Sequence, residues 1–136
     1  DAAALGAILS DWIDGTGWLA RLHTRDEDRG FVAGLIAAHE VIVAREGGVP
    51  VGFIVIDDAT IPALYLAESA RGRGIGARLL TGAKDRRDTL MLWTFQANTG
   101  ARRFYAREGF SEIEQTDGTA NESLLPDVRM QWTRGA

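Results

Sequence analysis

Few segments leave a chain as little conformational choice as Arg71-Gly72-Arg73-Gly74-Ile75-Gly76, where glycine stands at every second position. Before it, about Ala63 to Ala67 reads as a strand. Behind it, Ile75, Leu79, Leu80 and Ala83 recur at the spacing of one buried helical face, in a helix ending near Lys84 to Arg87. The unit is strand, glycine loop, helix. The first N–H groups of a helix lack intrahelical partners and lie at the positive end of its dipole. Glycines at 72, 74 and 76 remove the Cβ atoms that would hold an anion away, and Arg71 and Arg73 add positive charge. A diphosphate is the natural guest, although an isolated glycine triplet can equally be a tight turn. Two other phosphate loops do not fit. Gly76 is followed by Ala77-Arg78 instead of the lysine and hydroxyl residue of a P-loop, and the dinucleotide fingerprint needs two residues between its second and third glycines.

The remaining segments supply a sheet for this unit. Leu5, Ile8, Leu9, Trp12 and Ile13 predict a first helix, broken by Gly15-Thr16-Gly17. Thr24-Arg25-Asp26-Glu27 opens a second, which carries Phe31, Val32, Leu35 and Ile36 and runs to about His39. The β-branched runs Val41-Ala44 and Val51-Ile56, joined through Gly47-Gly48, predict an antiparallel hairpin. Met91 to Phe95 is a short buried strand. Asn98 precedes a helix carrying Ala101, Phe104 and Tyr105, which Gly109 ends. Val128, Met130 and Trp132 alternate with polar residues as a half-buried last strand, and about Gln115 to Ser123 is the one long loop. The expected fold class is α/β (α+β), a mixed, strongly twisted central sheet flanked by helices, with residues 1–136 as a single domain.

Composition narrows the function. A net charge of -4 disfavours a general nucleic-acid binder, which needs a basic face to displace counterions. The absence of cysteine excludes thiolate nucleophiles, disulfides and cysteine-held metals, and no metal is expected. No apolar run reaches the ~20 residues of a membrane helix, so no membrane partner is expected and the cytoplasm is the default location. A homodimer is compatible with the sequence, which does not specify oligomeric state.

Arg71 to Gly76 has the form Arg/Gln-X-X-Gly-X-Gly/Ala, and Asn98 followed by Ala101-Arg102-Arg103-Phe104-Tyr105-Ala106-Arg107-Glu108-Gly109-Phe110 forms a second motif. On these two motifs the chain resembles the GCN5-related N-acetyltransferase (GNAT) superfamily. The resemblance follows the order of elements from the first helix to the last strand, and is specific over about Leu64 to Leu80 and Asn98 to Phe110. It implies an acyl-CoA N-acyltransferase fold and direct transfer of the acetyl group of acetyl-CoA to an amine of a small molecule or protein. It further implies that Leu66 offers backbone groups to pantetheine and an N–H to the acetyl carbonyl. Arg71, Gly72, Arg73, Gly74, Ile75, Gly76 and Ala77 would receive the pyrophosphate. Asn98 would touch the pantetheine arm, and the Tyr105 hydroxyl would lie near the sulfur. Catalysis would then rest on Tyr105, as donor to the departing thiolate, and on Leu66, as donor to the oxyanion. Tyr105 has a second reading as core packing, and Asn98 as a helix N-cap.

The chain also departs from the superfamily. A strand ahead of the first helix is expected, whereas these residues start at Asp1 inside the helical pattern, leaving open whether the native chain begins earlier. Glu68 stands where proline is frequent, with a consequence for strand splay. Members often carry a glutamate on the strand before the glycine loop, but Thr60 to Ala67 contains no carboxylate. Glu68, Asp57, Asp58, His23 and His39 are the alternatives, and none is singled out as the base. Trp12, Trp18, Arg21 and His23 lie in or beside the region that borders the acceptor pocket in the superfamily; Trp12 is expected in the core, and Trp18 and His23 are the candidates for acceptor contacts. Lys84 to Asp88 reads as a solvated helix end. The missing strand carboxylate also motivates a second hypothesis, a non-catalytic acetyl-CoA or CoA sensor of the same fold.

Overall fold

The computed structural model describes residues 1–135. Two helices, α1 (Ala2–Asp14) and α2 (Arg25–Ala38), precede β1 (Glu40–Glu46), β2 (Val49–Asp57) and β3 (Thr60–Leu66). Then follow α3 (Ile75–Lys84), β4 (Thr89–Phe95), α4 (Thr99–Arg107), β5 (Ser111–Thr116) and β6 (Asp127–Thr133). Among the described residues, no helix is long and apolar enough to cross a membrane. The strands form one sheet in the order β1-β2-β3-β4-β6-β5, antiparallel except at β3–β4.

Each face of the sheet has its own apolar layer. On one side Leu5, Ile8 and Leu9 of α1 and Val32 of α2 pack on Phe53, Val55 and Ala63. On the other, Ile75, Leu79 and Leu80 of α3 and Tyr105 of α4 pack on Ile54, Ile56, Leu90 and Leu92. The strand sequences serve both layers because successive side chains point to opposite faces. A capping box starts α2: Glu27 N–H donates to Thr24 Oγ1 at 3.1 Å, and Thr24 N–H donates to Glu27 Oε1 at 2.8 Å.

The helix pair is fastened by a buried acid. Asp28, 4% exposed, accepts from Ser10 Oγ at 2.6 Å and from the Arg21 guanidinium at 2.7 Å. Close approach of the two helices depends on Gly6, where an added Cβ would lie 2.8 Å from Arg29 Cα. Intrinsic propensity favours alanine over glycine within a helix by about 1 kcal/mol, whereas forcing a backbone contact apart costs about 1–3 kcal/mol. Gly6→Ala is therefore expected to lower the melting temperature. An increase would mean that the helices separate without penalty.

Two expectations about elements are corrected. β3 begins at Thr60, three residues before the expected Ala63, a start masked in the sequence by Pro62. The strand Ser111–Thr116 was not anticipated at all. It is an edge strand whose residues are exposed up to Thr116, so it lacks the inside–outside alternation that marks a half-buried strand, and the loop expected from Gln115 starts two residues later. Nor is Lys84 to Asp88 merely a solvated end. Lys84 lies over the Trp132 ring and donates to the Glu108 carbonyl, and Arg87 pairs with Glu40.

Candidate active site

The sheet is split between β3 and β4, where parallel pairing is confined to Thr60 opposite Met91. Proline accounts for part of the split. Ala67 N–H donates to the Val51 carbonyl at 2.8 Å, so alternation along the antiparallel ladder turns the backbone groups of Leu66, Leu64 and residue 62 toward β4. Pro62 has no hydrogen to offer there. Leu66, at the end of the strand, thus directs its N–H and carbonyl into the gap.

A cleft of about 700 Å³ fills this gap. Of the expected residues, Leu66, Arg71, Gly72, Gly76, Asn98 and Tyr105 line it. Gly72 and Gly74 have φ of +73° and +78°, the left-handed region that favours glycine, and a Cβ on either would meet nothing within 4 Å. The loop backbone is therefore open at the N-terminus of α3, and Gly74 caps the helix without any side-chain hydrogen bond. Gly76 serves packing instead, since a Cβ there would sit 3.4 Å from the Phe104 ring. Arg73 is turned away: its Nη1 donates to Glu46 Oε1 at 2.9 Å, leaving Arg71 as the loop cation on the cleft wall. Ile75 is buried in the core beneath the loop.

On the opposite wall, Asn98 caps α4, its side-chain oxygen accepting from Ala101 N–H at 3.1 Å. It is both a cap and a cleft residue, and its amide NH₂ has no hydrogen-bond partner among the described residues. Tyr105 is 8% exposed, with its ring edge-on to Phe104 and Phe110. Burial pushes its phenol well above the usual tyrosine range, helped by the nearby Tyr65. The Tyr65 phenol is itself raised to about 12 by burial and then by the charge of Asp28. Both hydroxyls thus keep their protons at neutral pH, and can donate.

The residues considered for the base and acceptor sort differently. None of Glu68, Asp57, Asp58, His23 and His39 is on the cleft wall. Asp57, Asp58 and His39 surround a separate, open depression at the far end of β3, with six residue steps of strand, about 20 Å, from Thr60 to Leu66. Glu68 opens a 3₁₀ turn, Glu68–Ala70. His23 pairs with Glu122, whose carboxylate raises the imidazole pKa, and Arg21 is committed to Asp14 and Asp28. Trp12 is not simply core. Half-buried, it lines the cleft, lies 5.2 Å from the Tyr65 ring and carries Trp18 edge-on at 6.4 Å. Trp18 continues the contact to Phe95 at 5.5 Å. Asn121 and Asp127 also line the cleft, and nothing in the sequence singled them out. Asn121 arrives from the loop after the unanticipated strand β5, and Asp127 opens β6.

A split mixed sheet, with an open glycine turn on one wall and a buried phenol on the other, defines a class of acyl-transfer domain. Residues 37–112 match the acetyltransferase (GNAT) domain family, and the chain belongs to that family. It is an N-acetyltransferase. It is 29% identical over 133 residues to the peptidyl-lysine N-acetyltransferase YiaC of Escherichia coli strain K12, across 94% of this chain and 90% of that one. In fold it is similar to a GCN5-related N-acetyltransferase from Rhodopseudomonas palustris, with a TM-score of 0.81 at 21% identity over 98% of this chain and 89% of that one. A streptothricin acetyltransferase from Bacillus anthracis, solved in complex with acetyl coenzyme A, aligns with a TM-score of 0.63 at 22% identity over 68% of this chain and 61% of that one.

Proposed function

We propose that residues 1–136 act as one acetyltransferase domain that takes the acetyl group from acetyl-CoA and delivers it to a primary amine, with a lysine side chain of a peptide as the leading acceptor. The observation that carries this reading is the alignment of three donors along one cleft: the open backbone at Gly72, the outward backbone of Leu66, and the Tyr105 phenol. The peptidyl-lysine activity named for the relative spanning nearly the whole chain supports the acceptor.

The residues present fit the donor molecule. Gly72 and Gly74 leave the backbone uncovered by side chains at the N-terminus of α3, and Arg71 adds a guanidinium beside it; together they would hold the pyrophosphate, with the N–H groups of Arg73, Ile75, Gly76 and Ala77 around the same turn. Leu66 would pair its outward N–H with the pantetheine arm, its carbonyl already accepting from Arg71 Nη2 at 3.5 Å, and the Asn98 amide would reach the same arm. When bound, acetyl-CoA supplies a thioester carbon already activated toward amines. The Leu66 N–H is a fixed donor for the negative charge that develops on the carbonyl oxygen. Tyr105, whose phenol burial holds above the usual tyrosine range, would give its proton to the sulfur as the carbon–sulfur bond breaks, and the proton shed by the amine nitrogen as the amide forms would restore the phenol. The amine enters from the face lined by Trp12 and Tyr65.

Thermal shift and turnover together test this reading. At about one hundred times its dissociation constant a ligand stabilises a fold by roughly 2.7 kcal/mol, several degrees in melting temperature for a domain of this size. Acetyl-CoA and CoA are expected to give that shift, ATP and NAD much less, and acetyl-CoA is expected to release free thiol with a lysine peptide present. Equal shifts from all four would remove the donor assignment. Binding without thiol release across an amine panel would instead identify a sensor.

A further inference from the structure

The wall facing α1 and α2 holds one carboxylate among the described residues, Asp127, and we propose that it reads the positive charge of the acceptor amine. The proposal rests on the acetyl-transfer reading above and adds the residue that selects for its acceptor, a cationic nitrogen carried on an apolar stem.

Strand alternation decides where Asp127 points. Val128 and Met130 of β6, and Leu90 and Leu92 of β4, belong to the core beneath α3 and α4, so Asp127 and Phe95 lie on the opposite face. They are direct cross-strand partners, so the two residues are neighbours on that face. Phe95 meets Trp18, Trp18 meets Trp12, and Trp12 meets Tyr65, giving an apolar, π-rich wall that ends at a single negative charge. Such walls suit alkyl stems and ammonium groups.

Asp127 is held in place. Its Oδ1 accepts from Thr116 Oγ1, and its Oδ2 accepts from Asn121 Nδ2 at 3.2 Å. Asn121 Nδ2 also donates to the Leu125 carbonyl at 2.7 Å, while Gln96 Nε2 donates to the carbonyls of Thr116 and Asp127, each at 3.1 Å. Gly118 closes the loop at φ +85°, where a Cβ would strike the Leu125 carbonyl oxygen at 2.2 Å. Both Asp127 bonds come from neutral donors, so its charge is not cancelled by them. The other charged groups near this end are committed. Arg129, next along the same face, has its Nε 3.1 Å from Glu114 Oε1, an ion pair not aligned as a hydrogen bond, with its guanidinium over the Trp93 ring, and His23 is paired with Glu122. Arg71 belongs to the glycine-loop wall.

The test compares acceptors at pH 7.5 with saturating acetyl-CoA: Nα-acetyl-lysine methylamide as the cation and 4-methylaniline as an amine that is neutral at this pH. Asp127→Asn keeps the shape and can still engage Thr116 and Asn121. It is expected to lower kcat/KM for the cation by about 30-fold, the scale of a lost charge-assisted hydrogen bond, and for the neutral amine by less than about threefold, with the acetyl-CoA thermal shift preserved. Equal losses for the two acceptors, or none, would overturn the proposal and leave Asp127 a loop staple. Should the variant fold poorly, the wild-type protein answers with two competitors of equal stem. Hexylamine is expected to bind at least about tenfold more tightly than 1-hexanol, and parity would overturn the assignment. A wild-type protein that binds acetyl-CoA but acetylates no cationic amine also overturns the role of Asp127 while leaving the donor site intact. Failure to bind acetyl-CoA removes the reading beneath it.

Discussion

Replacing Gly74 by glutamate is expected to lower acetyl-CoA affinity by roughly two to three orders of magnitude while leaving a folded apoprotein. A carboxylate about 4 Å from a diphosphate is opposed by about 4 kcal/mol at the effective dielectric of a protein surface, and each 1.4 kcal/mol is a tenfold change in binding. The space beside Gly74 is open, so the new side chain meets no core atom. Its φ of +78° adds backbone strain of about 1–2 kcal/mol, which the melting temperature of the unliganded variant will register. Gly74→Asn separates the two effects, because asparagine tolerates this conformation and carries no charge. Calorimetric titration of acetyl-CoA should find the asparagine variant close to wild type and the glutamate variant without measurable binding. Retained affinity in the glutamate variant would reduce the loop to a turn.

Tyr105→Phe is expected to lower kcat by about 100-fold with acetyl-CoA affinity nearly unchanged, the low end of what a positioned general acid contributes, because a thiolate is already a tolerable leaving group. The ring contacts with Phe104 and Phe110 survive the change. The hydroxyl has no hydrogen-bond partner among the described residues, so its removal should leave the melting temperature close to wild type. That pairing is diagnostic: a packing role would move stability and spare turnover per folded molecule. The raised pKa of Tyr105 also has a sign that can be checked, since an acid held above its usual range stays protonated and keeps donating as pH rises. Wild-type kcat should therefore show no loss attributable to Tyr105 up to about pH 10, the ordinary tyrosine value. Full activity in the phenylalanine variant would sink its role as donor without touching the cofactor site.

Local chemistry and spacing carried the parts of this protein that act through neighbouring residues. Glycines 72 and 74 announced a turn that leaves the N-terminus of α3 open, and Thr24 with Glu27 announced the start of α2, because backbone conformation and capping are decided within a few residues. Asn98 to Phe110 carried Tyr105 for the same reason: helical spacing fixes which side chains share a face. What the tertiary structure alone decided is whatever depends on residues distant in sequence. The split of β3 from β4, the pairing of Arg73 with Glu46 away from the cleft, and the turn of Trp12 from core to cleft wall each follow from a long-range contact. Strand β5 was illegible because an exposed edge strand buries neither face and so leaves no alternation to read. Asp127 was illegible with it. A lone acid before a strand has no signature until cross-strand register sets it beside Phe95 and long-range packing brings that face over the same cleft as Trp12 and Tyr65.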